Sequence, residues 1–231
     1  MFVAQDELGA LVDAEYADRS KKYYCTCCGN EVTLKAGSIK VKHFAHKSVE
    51  ECETFTSDMS EWHKEWQSKF PLRNREVVIE CNGIKHRADV LAYGYVIEFQ
   101  NSPISREEFN LRNRFYTTAG YKVIWIFNLI DEWDYGQIYL NPNSSGRKAD
   151  FSFVWLYARK CFADFDHKDS KVKLFFQFEK SDFEHEEYCY LHGVSWVPRE
   201  CGKSKFKYFI TNPKRTGGLC DLMEWISRRI L

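Results

Sequence analysis

Asn82-Gly83 constrains this chain most, because it joins Glu76-Val-Val-Ile-Glu-Cys81 to Ile84-Lys-His-Arg-Ala-Asp-Val-Leu91, two stretches with strand character. An Asn-Gly pair in that setting favours a two-residue type I′ turn, whose twist matches that of the flanking strands. Such a turn fixes the register, with Cys81 facing Ile84, Glu80 facing Lys85, Val78 facing Arg87 and Glu76 facing Asp89. Because side chains alternate, Val77, Ile79, Cys81, Ile84, Ala88 and Val90 share one apolar face, interrupted only by His86. The opposite face carries a Glu80–Lys85 pair and ends in two opposed carboxylates, Glu76 and Asp89. At about 5 Å and an effective dielectric near 20 their repulsion is about 3 kcal/mol before screening, a cost that a bound cation would offset.

The flanking segments predict an α/β core over residues 57–140. Ser60 caps a helix carrying Trp62, Trp66 and Phe70 at i, i+4 and i+8, and Pro71 ends it. After the hairpin comes a third strand, 95–100, on which Glu98 and Gln100 share a face while Ile97 and Phe99 point to the core. Ser105-Arg-Glu-Glu108 is a capping box opening a helix that carries Phe109, Arg112 and Tyr116 and stops at Gly120. Residues 121–127 form a near-continuous apolar run, as in a strand buried on both faces. Before this core, residues 1–56 predict a small β module with strands at 23–24, 31–35 and 39–45. Beyond it, residues 141–231 predict an aromatic-rich α+β extension with strands near 152–157, 172–178 and 206–210 and a last helix from about 219.

Two metal chemistries are written into these segments. If the third strand pairs with the hairpin, Glu98 joins Asp89, and carboxylates on adjoining strands make a hard oxygen site suited to Mg²⁺ or Mn²⁺. Such a cation polarises a phosphodiester and activates water for in-line attack. Spacing by itself fits solvated strand-end charges equally well. The second chemistry is thiolate. Of nine cysteines, four crowd into the first quarter, and Cys25 and Cys28 form a Cys-x2-Cys knuckle followed by Gly29. His43, His46 and Cys52 offer the remaining two ligands. A regular strand puts His43 and His46 on opposite faces, so His46 with Cys52 is favoured, His43 is the alternative, and Cys27 is a bystander. A segment too small to bury its own core gains most from such a staple, which points to structural Zn²⁺. The five scattered cysteines read as buried thiols.

Charge and hydropathy exclude other classes. Lys and Arg together number 33, as do Asp and Glu, so no global basic field draws the chain onto nucleic acid and any such contact must be local. No apolar run is long enough to span a bilayer, and Met-Phe-Val-Ala-Gln-Asp-Glu lacks the basic start and apolar stretch of a secretion signal. A reducing cytoplasm and no membrane association are expected.

Asp89, eight residues, then Glu98-Phe99-Gln100 between a hairpin and a helix resembles the D-(x)n-E-x-K core of the PD-(D/E)xK nuclease superfamily, with Gln100 in place of the usual lysine. More specifically, the chain is similar to the competence protein CoiA-like family. The similarity runs in order through Cys25-Thr-Cys-Cys28, Lys42-His-Phe-Ala-His46, Ser60-Glu-Trp-His63, Arg87-Ala-Asp-Val90, Ile97-Glu-Phe-Gln-Asn-Ser102, Arg112 with Tyr116, and Val123-Ile-Trp-Ile126, over more than half of the chain. It implies a PD-(D/E)xK (restriction-endonuclease-like) α/β core between a small N-terminal zinc-binding β module and a C-terminal α+β extension. It also implies a bacterial, metal-dependent nuclease acting on DNA, strandedness open. Asp89 and Glu98 would hold Mg²⁺ or Mn²⁺, Gln100 would orient water or phosphate, and His63 would support catalysis. From the register argument, Glu76 joins them as a further carboxylate. Lys64, Arg87 and Arg112 are candidate DNA contacts, with Lys85, Trp62 and Trp66 beside them for charge and stacking. Arg112 alternatively pairs with Glu108 one helical turn back. The competing function is a catalytically silent, zinc-containing nucleic-acid-binding module. Residues 141–231 offer a surface for a protein partner, though no residue there names one.

Overall fold

The computed structural model describes residues 1–37, 40–47, 52, 60–140, 152–156, 159, 161, 171–178, 191–194, 200–201 and 205–209. The helix expected from about residue 219 lies outside them. The N-terminal module is an antiparallel sheet of five short strands, β1 (Val3–Gln5), β2 (Leu11–Asp13), β3 (Tyr23–Tyr24), β4 (Glu31–Lys35) and β5 (His43–His46), ordered β2-β1-β3-β4-β5. Its core is small, built on Ala4, Ala14, Tyr23, Val32 and Phe44 around Cys25. So little buried apolar area cannot by itself offset the chain entropy of some fifty residues.

The second region begins with α1 (Glu61–Ser68), whose cap is Ser60: its Oγ accepts from the His63 amide. β6 (Arg75–Cys81) and β7 (Ile84–Ala92) then pair in the register that the turn dictates, Cys81 against Ile84 and Val78 against Arg87. Asn82 and Gly83 both have positive φ, 53° and 76°, as a type I′ turn requires. A second two-residue turn, Tyr93-Gly94, also with both φ positive, leads into β8 (Tyr95–Gln100). α2 (Arg106–Thr118) starts at Ser105, which accepts from the Glu108 amide, and is followed by β9 (Lys122–Asn128).

Further along lie α3 (Ile130–Asp134), β10 (Ile138–Leu140), β11 (Ser152–Trp155), β12 (Val172–Gln177), β13 (Leu191–Val194), β14 (Glu200–Cys201) and β15 (Lys205–Phe209). Past the boundary expected at 140/141, β12 and β13 extend the sheet of the core. The main sheet has six strands, ordered β13-β12-β9-β8-β7-β6, and β12 runs parallel to β9. β9 is therefore an inner strand, which is why its run from Val123 to Phe127 can be wholly buried. A second sheet, β10-β11-β15-β14, holds the remaining late strands.

Helices cover both faces of the main sheet. Phe109, Phe115 and Tyr116 of α2 pack on Val96, Val123, Trp125 and Phe127. On the opposite face Trp66 and Phe70 pack on Val90, Ile97, Phe99, Ile124 and Ile126. Cys161 is buried, and burial pushes its thiol up to about 12, the inert behaviour expected of it. No helix among the described residues is long and apolar enough to cross a membrane.

Candidate active site and metal centre

Asp89 and Glu98 meet where β7 and β8 part. Their backbone ladder runs from Ala92–Tyr95 to Val90–Ile97; one step further, side chains take over. The Phe99 amide donates to Asp89 Oδ2 at 2.8 Å, and the Asp89 amide lies 3.4 Å from Glu98 Oε1. Both carboxylates are buried, at 8% and 1% exposure, between α1 on one face and α2 on the other. From α1, His63 Nε2 stands 3.0 Å from Asp89 Oδ1 and Gln67 Nε2 donates to the same oxygen at 3.5 Å. From α2, Arg112 donates to Glu98 Oε2 at 2.9 Å and Tyr116 Oη to Glu98 Oε1 at 3.0 Å.

These neighbours set the protonation states. Burial opposes ionisation of Asp89, but the His63 imidazolium and the Phe99 amide outweigh it and hold the carboxyl below its ordinary range. For Glu98, burial and then the Asp89 charge prevail over Arg112 and Tyr116 and push it up to about 7. Burial would lower His63, yet Asp89, Glu76 and Glu98 together raise it. Two carboxylates that differ in this way reflect like charges forced together in a desolvated site.

Several residues expected here take other tasks. Glu76 does not stand as a bare carboxylate against Asp89. Its backbone enters the left-handed region, φ 48°, the β6–β7 ladder skips the pair, and its Oε1 and Oε2 accept from the Phe2 and Val3 amides at 2.7 and 3.0 Å. Arg112 is 5% exposed and pairs with both Glu98 and Glu108, so it is a buried counter-ion rather than a phosphate contact. Lys64 pairs with Glu15 at 2.6 Å and Lys85 with Glu80 at 3.6 Å. Trp66 is buried, and both it and Trp62 donate their indole N–H to Gln177 Oε1, at 2.9 and 2.8 Å; neither ring is a free stacking platform. Gln100 turns to the following loop, donating to the Ser102 carbonyl at 2.7 Å.

Gln67 is the site residue that the sequence reading missed. Its position four residues after His63 puts both on one face of α1, and that spacing was the available signal. Buried Gln67 Oε1 has no hydrogen-bond partner among the described residues. An orphaned oxygen beside two carboxylates is the hard donor chemistry that suits Mg²⁺ or Mn²⁺ and its waters.

The second cluster is sulfur-rich. Cys25, Cys28, His46 and Cys52 bring their ligand atoms within 4.8 Å of one another. Two thiolates about 2.3 Å from a tetrahedral zinc stand about 3.8 Å apart, and Cys25 Sγ lies 3.9 Å from Cys52 Sγ, with Cys28 Sγ 3.4 Å from His46 Nε2. This group can bind a metal such as zinc. His43 is outside it, its Nδ1 donating to the Val41 carbonyl at 2.7 Å. Burial opposes a thiolate at Cys25, but the Cys28 amide and Arg87 lower its pKa on balance, whereas burial raises Cys28 and Cys52. A cation shared by all three would hold them as thiolates.

Comparison with known proteins bears on both clusters. Residues 12–55 match the N-terminal domain of competence protein CoiA, and residues 57–143 match its nuclease-like domain. The chain belongs to the competence protein CoiA family. Competence protein CoiA of Bacillus subtilis (strain 168) is 24% identical over 149 residues, which is 60% of this chain and 38% of that protein. The match to this family member therefore covers well under half the length of that relative. No solved structure matches the chain. The zinc-type cluster falls within the match to the CoiA N-terminal domain, and Asp89, Glu98, His63 and Gln67 fall within the nuclease-like match.

Proposed function

We propose that the chain is a divalent-metal-dependent nuclease that hydrolyses phosphodiester bonds in DNA, on a PD-(D/E)xK-type core. One observation carries this reading: Asp89 and Glu98 are buried side by side where two strands part, with a histidine and an orphaned amide oxygen against them. Asp89 and Glu98 would hold Mg²⁺ or Mn²⁺, which supplies Lewis-acid stabilisation of the phosphoryl charge. His63 balances and orients Asp89. Arg112 and Tyr116 fix the rotamer of Glu98, and Gln67 presents Oε1 to the site. Gln100, expected at the lysine position, reaches water or phosphate only by giving up Ser102. Cys25, Cys28, His46 and Cys52 would hold a structural Zn²⁺ in the N-terminal module. Cytoplasmic location is part of the same reading.

The second reading, a silent nucleic-acid-binding module, rests on a specific observation as well. Each carboxylate oxygen of Asp89 and Glu98 already has a protein partner, and His63 with Arg112 matches their charge. The two readings separate on plasmid and single-stranded circular DNA with Mg²⁺ or Mn²⁺, comparing wild type with Asp89→Asn and Glu98→Gln. Metal-dependent cutting lost in both variants supports the nuclease. Binding without cutting by all three proteins under either metal sinks it.

A further inference from the structure

Cationic side chains are unevenly placed on the N-terminal module. A hollow of about 650 Å³ beside β4 is lined by Arg19, Lys35, Lys40 and His43 with no acidic residue. A second hollow of about 380 Å³ shares Arg19, Thr33 and Leu34 with the first and adds Lys21, Lys22 and Glu31, the last paired with Lys47. Lys22, Lys35 and Lys40 are exposed and pair with no acidic group among the described residues. In a chain whose net charge is zero, this groove is a local concentration of positive field.

The groove also has a direction. Arg19 donates to the Ala36 carbonyl, which fixes one wall. Two residues before Arg19, the Ala17 carbonyl accepts from Lys42, which also donates to the Glu15 carbonyl. Glu15 in turn pairs with Lys64 on α1, next to His63. Between Glu15 and Ala17, flanked by those two lysines, Tyr16 is 85% exposed. A small anion is met by donors converging in an enclosed pocket; cations spread over two adjoining hollows that share Arg19 suit a repeating phosphate backbone. An exposed aromatic ring beside them suits an unpaired base, whose face is hidden inside a duplex.

We propose that this groove is a phosphate-backbone track for single-stranded DNA, with Tyr16 stacking an unpaired base where the strand turns toward α1 and the carboxylate site. The inference rests on the reading of the chain as acting on DNA, and its test reads binding rather than cutting. With no divalent cation added, affinity for a labelled single strand and for its duplex is measured against salt. The wild-type chain of residues 1–231 is compared with Lys22→Gln/Lys35→Gln/Lys40→Gln, the corresponding triple Arg variant, and Tyr16→Ala. Losing three phosphate contacts reduces the slope of log affinity on log salt by about 2 and weakens binding on the order of tenfold or more. The Arg variant should restore both. Tyr16→Ala should weaken single-strand binding roughly tenfold and duplex binding little. An unchanged slope in the Gln variant, with its thermal midpoint intact, overturns the track even if the wild type cuts DNA. A reduced slope upholds it even if no protein cuts DNA, in which case only the nuclease reading fails.

Discussion

Arg87 donates a hydrogen bond from Nη2 to Cys25 Sγ at 3.1 Å, across 62 residues of chain. Arg87 sits on β7 two residues before Asp89, so a strand that carries part of the carboxylate site also touches the cysteine cluster. Arg75–Asp13 at 2.8 Å and the Glu76 bonds to β1 tie the same two regions together.

Because of that coupling, a metal held by the cysteine cluster would steady more than the N-terminal module, and its loss should loosen both regions. Cys28→Ser is expected to reduce bound zinc from about one per chain toward none and to lower stability by roughly 3 kcal/mol or more. For a chain of this size that is a fall in Tm of about 10 °C. Elemental analysis beside a thermal melt checks it. Zinc lost without a shift in Tm would mean that the cluster is not a staple.

Glu76→Gln separates a structural carboxylate from a metal ligand. Its two oxygens serve two buried backbone donors, and an amide can accept for only one of them while presenting its own N–H to the other. The expected cost is about 1–3 kcal/mol, read as a lower urea midpoint at unchanged slope. Mn²⁺ binding, followed by spin resonance, should be that of the wild type. Lost Mn²⁺ binding in a stably folded variant would return Glu76 to the metal site.

Glu76 also marks how far the sequence was legible. Period-two alternation and an Asn-Gly turn are local rules, and they determine the hairpin register; Ser60 and Ser105 likewise announce their helices through short-range capping. The Cys25, Cys28, His46 and Cys52 group was readable because ligand chemistry restricts the options to a few residues. What escaped was long-range. Opposed carboxylates on a hairpin say nothing of amides arriving from residues 2 and 3, more than seventy positions away. Arg112 could be matched to Glu108 by helix spacing, but its partnership with Glu98 exists only once α2 crosses the sheet. Residues beyond 140 read as a separate extension, yet β12 pairs in parallel with β9 in the core sheet.

His63 and Asp89 form the buried pair on which the metal reading can be tested without a substrate. His63→Gln removes the cationic partner and leaves Asp89 buried without its counter-charge, at a cost of about 3 kcal/mol in metal-free protein. A cation bound at Asp89 and Glu98 would replace the missing charge. Mg²⁺ should therefore raise the Tm of the variant by more than it raises that of the wild type. Equal shifts in the two proteins would argue that no cation binds beside Asp89.

Gln177 of β12 is the latch between the late strands and α1. Its Oε1 accepts from both Trp62 and Trp66, so Gln177→Met strands two indole donors, at least one of them buried, and should cost about 2–5 kcal/mol. Truncation after residue 140 is the harsher version of the same test. It removes β12, leaves β9 as a bare edge whose apolar residues from Val123 to Phe127 had been fully covered, and deprives both tryptophans of their acceptor. An exposed, hydrophobic edge strand is a template for aggregation. The truncated protein should be insoluble or melt without cooperativity, while Gln177→Met stays folded with a lower Tm. A soluble, cooperatively folding 1–140 fragment would show instead that the sheet closes without its C-terminal strands, and that the boundary expected from the sequence is a true one.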